Sequence, residues 1–247
     1  MNFVFDIDGT ICFDYKNLNQ DAIWLLDRLK ENGHQIIFAS ARPIRDLLPV
    51  LEEKYYNELL IGANGSMAYQ KGSINKALLF DKKIADALIE FLNDRESIYV
   101  VDSTWNYMYN GDGSHRLMDF INAGGFAEQK RYEELENVMK ITVLEDEDMD
   151  GLQAFLNEQG FETWMHPRGG TLDILPGVSN KYEALRKLGI ENYVAMGNDT
   201  NDVEMLEHAD VAIMVDCNED LSQHSDVQIS ADENYRVQLE KVFAKYL

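Results

Sequence analysis

Short apolar runs that stop at polar clusters alternate along this chain with longer stretches of helical periodicity. The run Asn2–Phe5 is largely apolar and ends at carboxylates, the pattern of a buried strand that reaches a functional edge. Between residues 19 and 32, Ala22, Ile23, Leu25, Leu26 and Leu29 recur at helical spacing, and Gly33 stands where a helix stops. Residues 35–39 (QIIFA) predict a second buried strand, a helix runs after Pro43 through Leu47, Leu48, Val50 and Leu51, and residues 59–62 predict a third strand. Strand and helix alternating at this spacing imply right-handed crossovers and a parallel sheet with helices on both faces.

The same grammar returns towards the C-terminus. A helix is expected over 180–188, a strand over 193–196, a helix after Asp199, strands at 211–215 and 227–229, and a closing helix over 234–246. The middle differs: residues 97–101, 138–144, 161–165 and 171–175 are strand-like, with helical stretches near 114–122 and 148–159. The expected fold is therefore α/β, a Rossmann-like parallel-sheet core built from residues 1–80 and 176–247. A smaller α+β unit, 81–175, is inserted into it.

The 247 residues include 22 basic and 44 acidic side chains, a formal net charge of −22. A field of that sign opposes phosphate backbones and anionic lipid, so neither nucleic acid nor membrane is an expected partner. An anionic substrate would need local cations or a metal to overcome it. Cys12 and Cys217 lie far apart and outside any CxxC pair, which excludes a disulfide framework or thiolate zinc site. The apolar stretch at the N-terminus is too short for a signal peptide and no run reaches membrane-span length, so a cytoplasmic protein is expected.

Ligands of open α/β sheets bind beyond the carboxyl ends of the strands. The residues found there are Asp6 and Asp8 after the first strand, Ser40 and Arg42 after the second, Asn64 after the third, and Asn198 to Asp202 after the strand ending at Met196. Two carboxylates two residues apart lie close while pointing in different directions, so one can attack while the other handles protons. A carboxylate approaching a phosphate dianion needs a cation, and Asp6, Asp8, Asn198, Asp199 and Asp202 supply oxygen ligands of the kind Mg²⁺ takes. Singly, each cluster also reads as a turn or helix cap. A calcium-loop reading fails because the required glycine would fall at Ile11.

Together these segments carry a resemblance. FDIDGT, FASAR, ANGS, PGVSNKYEAL and GNDTND, in that order, are similar to the motifs of the haloacid dehalogenase superfamily of phosphotransferases, and of its Cof-type members with a type IIB cap. The resemblance implies that Asp6 is a nucleophile, Asp8 an acid/base, and that Ser40, Lys181 and Asn201 hold phosphoryl oxygens, with Mg²⁺ as cofactor. It implies a phosphatase that hydrolyses a small phosphorylated metabolite, foremost a sugar phosphate, through an aspartyl-phosphate. A phosphomutase of the phosphomannomutase type and a catalytically silent metabolite or metal sensor are the alternatives. Two positions depart from the pattern: Asn198 stands where an aspartate is usual, and Asn180 falls between Ser179 and Lys181.

Three further features have plainer readings. Trp105, Tyr107 and Tyr109 alternate as cross-strand packing does, and Cys12 reads as a small buried hydrophobe. His166 and Arg168 fit a substrate contact and a solvated loop equally well.

Overall fold

Walking from the N-terminus, the chain forms β1 (Asn2–Phe5), α1 (Gln20–Glu31), β2 (Gln35–Ala39), α2 (Ile44–Leu47) and β3 (Leu59–Gly62), then a hairpin of β4 (Met67–Gln70) and β5 (Ser73–Ala77). There follow α3 (Lys82–Asp94), β6 (Ile98–Asp102), β7 (Tyr107–Tyr109), β8 (Lys140–Glu145), α4 (Met149–Glu158), β9 (Glu162–His166) and β10 (Thr171–Leu175). The last stretch holds α5 (Lys181–Lys187), β11 (Tyr193–Gly197), α6 (Val203–Glu207), β12 (Val211–Val215), β13 (Val227–Ile229) and α7 (Tyr235–Phe243). This is a computed structural model; it describes residues 1–166, 170–216 and 222–247, so Arg168 and Cys217 lie outside the described residues.

Two sheets result. The larger has the order β13-β12-β11-β1-β2-β3-β4-β5, parallel as far as β3 and antiparallel in its last two strands. The smaller, β7-β6-β8-β10-β9, is wholly antiparallel. The α/β fold expected from the sequence is the one observed, a parallel-sheet core with a separate antiparallel cap. β1 is apolar along its length because both its faces are covered: Phe3 and Phe5 pack with α1 and α7, and Val4 packs with α5 and α6. The register sets Phe5 opposite both Phe38 and Met196, which brings the carboxyl ends of β1, β2 and β11 side by side.

In the cap, α3 and α4 cover one face through Ala85, Leu88, Leu92, Leu152 and Leu156, which meet Val101, Ile141, Val143, Leu172 and Ile174. Because side chains alternate across a strand, Val100, Asp102, Lys140, Thr142 and Asp173 take the opposite face, towards the core.

Several elements differ from the sequence expectation. α3 is a full helix where none was expected; its apolar residues are at helical spacing and the Asp81 side chain caps it at Lys83 N, 2.9 Å away. Residues 114–122 form only a 3₁₀ turn at Arg116–Asp119, which buries no side chain and so lacks the packing that sustains a short helix. The helix after Pro43 stops at Leu47 and tightens to a 3₁₀ turn, since Pro49 has no N–H to continue it. The hairpin β4–β5 turns through Lys71 and Gly72, both at positive φ (52° and 82°), as a two-residue turn of the primed type requires.

The cap is fastened by Asp146, whose carboxylate takes Arg95 Nε (3.0 Å) and Nη2 (2.5 Å), the Ser97 hydroxyl (2.5 Å) and Asp148 N (2.9 Å). The hydrogen bonds from Arg95 lead in holding its pKa down, to about 2. A carboxylate depressed on folding stabilises the fold fully above its ordinary value of 3.8 and loses that effect as pH falls through about 2. The stability difference between wild type and Asp146→Asn is therefore expected to be full at neutral pH and to be lost as pH falls from about 4 through about 2. Urea titrations at stepped pH measure it.

Candidate active site

The end of β1 is extended by one residue, Asp6 N donating to Met196 O at 2.9 Å, before the chain turns sharply. Ile7 O collects the N–H groups of Thr10, Ile11 and Cys12, closing a tight loop. Gly9 sits in it at φ +85°, and a Cβ there would lie 2.1 Å from Asn198 Nδ2, so a side chain would strain the backbone and displace Asn198. The loop places Asp6 and Asp8 at the mouth of the parallel sheet. Cys12, just beyond, is fully buried.

Lys181 lies beneath Asp6. Its Nζ donates to Asp6 Oδ1 (2.5 Å) and to Asp202 Oδ1 (2.6 Å), with the lysine side chain wholly enclosed. It stands at the first turn of α5 because Asn180 is the N-cap, its Oδ1 accepting from Glu183 N at 2.7 Å. The departure noted at Asn180 is thus a capping residue. Asp202 Oδ2 accepts from Asn198 N (2.9 Å) and Asp199 N (3.1 Å), folding the loop after β11. Burial opposes the charge on Lys181, yet the two carboxylates outweigh it and raise its pKa. Burial first, then the charge of Asp202, raises Asp6 above the ordinary carboxylate range.

Arg42 holds Asp8 bidentately, Nε to Oδ2 at 2.7 Å and Nη2 to Oδ1 at 2.6 Å, and reaches Tyr15 O at 2.9 Å. The buried Ser40 hydroxyl accepts from Arg42 N at 3.1 Å. Asn201 Nδ2 donates to Asn64 Oδ1 at 3.0 Å.

Asp6, Asp8, Asn198, Asp199 and Asn201 form one side of a cavity of about 440 Å³ between the core and the cap sheet. Lys181, Asp202 and Ser40 stand behind these and do not line it. The opposite side carries Arg45, Asp102, Lys140, Thr142, His166 and Asp173, so His166 faces the cavity. Of these only His166 is singled out by the sequence; Asp102, Lys140, Thr142 and Asp173 alternate with apolar residues along their strands, which marks a strand face without saying what that face meets. Tyr107 and Tyr109 are buried and pack with Val100 and Leu144.

The floor fits a hard divalent cation by its donors, which are all oxygens. The Thr10 hydroxyl donates to Asp6 Oδ2 (2.7 Å) and lies 3.2 Å from Asn198 Oδ1, so these two oxygens are within reach of one small donor. No three His, Cys, Asp or Glu side chains among the described residues converge as a ready-made site, as Arg42 holds Asp8 and Lys181 holds Asp6. Asp6, Asp8, Asn198 and Asp199 are the side chains that face the cavity; Asp202 has both oxygens committed to Lys181 and backbone N–H groups.

A profile of haloacid dehalogenase-like hydrolases matches residues 3–235, and the chain belongs to this family. It is an enzyme, a hydrolase of the haloacid dehalogenase type. It is 22% identical over 227 residues to the 5-amino-6-(5-phospho-D-ribitylamino)uracil phosphatase YitU of Bacillus subtilis, covering 83% of this chain and 82% of that protein. It is 29% identical over 219 residues to an HMP-PP phosphatase of Citrobacter koseri, covering 82% and 79%. Among solved structures, a haloacid dehalogenase-like hydrolase from Bacteroides thetaiotaomicron superposes with TM-score 0.82 at 17% identity, over 98% of this chain and 99% of the other. The subclass IIB sugar phosphatase BT4131 superposes with TM-score 0.78 at 19% identity over 98% of each. These likenesses establish the shared fold. No helix among the described residues is long and apolar enough to cross a membrane.

Removing one partner of a buried ion pair leaves an uncompensated charge, a loss of about 3–5 kcal/mol. Lys181→Met strands two carboxylates and is expected to lose stability of that order. Adding Asp202→Asn should return part of it, which equilibrium urea unfolding of the two variants measures.

Proposed function

We propose that this chain is a Mg²⁺-dependent phosphomonoesterase that works through an aspartyl-phosphate on Asp6. The observation that carries the reading is the pairing of Asp6, at the strand end and backed by Lys181, with Asp8 on the same cavity two residues later. Asp6 attacks phosphorus in line; its oxygen–phosphorus bond forms as the bond to the leaving oxygen breaks, and Asp8 gives that oxygen its proton. Asp8, now a carboxylate, takes a proton from water as water attacks phosphorus and the Asp6–phosphorus bond breaks. Inorganic phosphate leaves and both aspartates are restored.

Arg42 fixes the Asp8 carboxyl beside Asp6 through two hydrogen bonds, Nε to Oδ2 and Nη2 to Oδ1. Lys181 offsets charge on the carboxylate that takes the phosphoryl group. Asn201 holds phosphoryl oxygens from the floor; Ser40 and Lys181, which do not line the cavity, back it through their bonds to Arg42 N and to Asp6. Asp6, Asp8, Asn198 and Asp199 would hold Mg²⁺, with Asp202 supporting them through the loop. The metal supplies positive charge against the phosphoryl oxygens. Phosphoryl transfer rests mostly on positioning and charge stabilisation, which so small a set of groups can supply.

The substrate is a small phosphorylated metabolite, with sugar phosphates as the first candidates. The two curated relatives are named for a phospho-ribitylamino-uracil and for HMP-PP, so compounds of both kinds belong in a substrate panel. Residues 81–175 act as the cap that contacts the leaving group, while the chemical groups come from 1–80 and 176–247.

Asp6→Asn is nearly isosteric and lacks the nucleophilic charge; its kcat is expected below about a thousandth of wild type. Phosphate release from p-nitrophenyl phosphate with Mg²⁺ measures it, and retention of a substantial fraction of kcat would end the covalent reading. Asn198→Asp adds a charge to the ligand set and should lower the half-saturating Mg²⁺ concentration. An unchanged Mg²⁺ titration would remove Asn198 from that set.

A further inference from the structure

The wall opposite the floor, made by the cap together with Arg45 and Asp46 of α2, sets cationic donors beside three carboxylates. Among the described residues, Asp102 Oδ2 alone of their oxygens takes no hydrogen bond. Asp173, 1% exposed, takes the Thr142 hydroxyl at 2.7 Å on Oδ1 and His166 Nε2 at 3.0 Å on Oδ2, with Lys140 Nζ at 3.3 Å. Asp102 Oδ1 takes Arg45 Nη2 at 2.5 Å and its Oδ2 lies 4.0 Å from Lys140. Asp46 takes Arg45 Nη2 at 3.1 Å and Asn122 N at 2.6 Å.

The donors are less well served. Lys140 Nζ finds only Asp173 at 3.3 Å and Ala41 O at 3.4 Å, long contacts for an ammonium. Among the described residues, the buried side-chain polar atoms without a partner are Arg45 Nε, Asn64 Nδ2 and Trp164 Nε1, and all three are donors. All three flank this cavity: Arg45 lines it, Trp164 is the cross-strand neighbour of Asp173, and Asn64 holds Asn201 on the floor. Phosphoryl oxygens answer the donors near the floor. Lys140 and Trp164 lie in the cap instead, and Arg45 reaches the same wall from α2. The rest of that wall, Val100, Leu117, Phe120, Ile121 and Leu144, is apolar and brings no side-chain acceptor.

Buried donors left unpaired are costly, and a ligand rich in acceptors removes the cost. A hydroxyl would bring its own hydrogen to a wall whose carboxylate oxygens, Asp102 Oδ2 apart, already accept hydrogen bonds. We infer that the leaving group carries an acceptor-only oxygen, a carboxylate or a carbonyl, which Lys140 and Arg45 hold against the cap. The inference rests on the phosphatase reading and narrows it: a sugar phosphate qualifies when it bears such an oxygen, as a phosphorylated sugar acid does.

Matched substrates test this. The carboxylate arm compares 3-phosphoglycerate with glycerol 3-phosphate, and 6-phosphogluconate with glucitol 6-phosphate. The neutral carbonyl arm compares hydroxyacetone phosphate with 1,2-propanediol 1-phosphate. In at least one pair, kcat/KM for the acceptor compound should exceed that of its hydroxyl partner by about tenfold or more, the scale of one unmade buried hydrogen bond. Lys140→Met should collapse that ratio. The arm that responds says whether charge or the acceptor oxygen alone is read. Should Lys140→Met not fold, the wild-type protein still decides: in the six-carbon case, gluconate should inhibit p-nitrophenyl phosphate hydrolysis more strongly than glucitol. Equal or better turnover of the hydroxyl member in every pair, or a preference untouched by Lys140→Met, overturns the inference. Failure to release phosphate from any compound, p-nitrophenyl phosphate included, overturns the phosphatase reading itself and the inference with it.

Discussion

One buried ammonium organises the functional end of this molecule. Lys181 bonds Asp6 at the tip of β1 and Asp202 in the loop after β11, so two strands and the start of α5 meet at a single charge. Such a triad is a poor source of stability, because desolvating three charges offsets most of their attraction. What it provides is position. With Lys181 fixed, Asp202 is turned so that its second oxygen gathers Asn198 N and Asp199 N, and the loop presents Asn198, Asp199 and Asn201 to the cavity.

A second constraint acts from the cap. The period of two along β6, β8 and β10 sends Val101, Ile141, Val143, Leu172 and Ile174 to the helices and leaves the alternate residues facing the core. Those alternate residues are free of the demand to be apolar, and they include Asp102, Lys140, Thr142 and Asp173. The cap therefore divides its residues by face, with apolar packing against helices on one and polar side chains towards the cavity on the other. Arg45 joins the layers, reaching from the core to Asp102 and to Trp105 O of the cap.

The legibility of these features in the sequence follows from their physics. Asp6 and Asp8 stand out because an apolar strand stops at them, and Asn198 to Asp202 stand out for the same reason after β11. α3 is equally legible, since Ala85, Leu88, Ile89 and Leu92 carry the helical repeat between strand-like segments. The expected helix at 114–122 is absent because periodicity alone does not supply a surface to pack on. Lys140 and Asp173 could not be read as cavity residues. Which face of a strand meets the active site is settled by the docking of two sheets, and no local pattern encodes it. Arg42's grip on Asp8 is hidden likewise, for it joins residues 34 positions apart.

A strained turn after β3 lies where three loops at the cavity floor meet. Ala63 and Asn64 both adopt φ of 50°, a conformation that costs a residue with a Cβ about 1–2 kcal/mol. Two neighbouring residues in that region persist only when the surroundings fix them, and here they do: Ala63 N bonds Arg42 O at 2.8 Å, Asn64 N bonds Ser40 O at 3.1 Å, and Asn64 O accepts from the Ser179 hydroxyl at 3.2 Å. The Asn64 side chain then takes Asn201. The loop after β3 thus touches the segment after β2, the residues leading into Lys181 and the loop after β11. Relaxing Ala63 and Asn64 to ordinary dihedrals would release all three segments at once, which is why a strained turn outside the reacting groups is retained beside them.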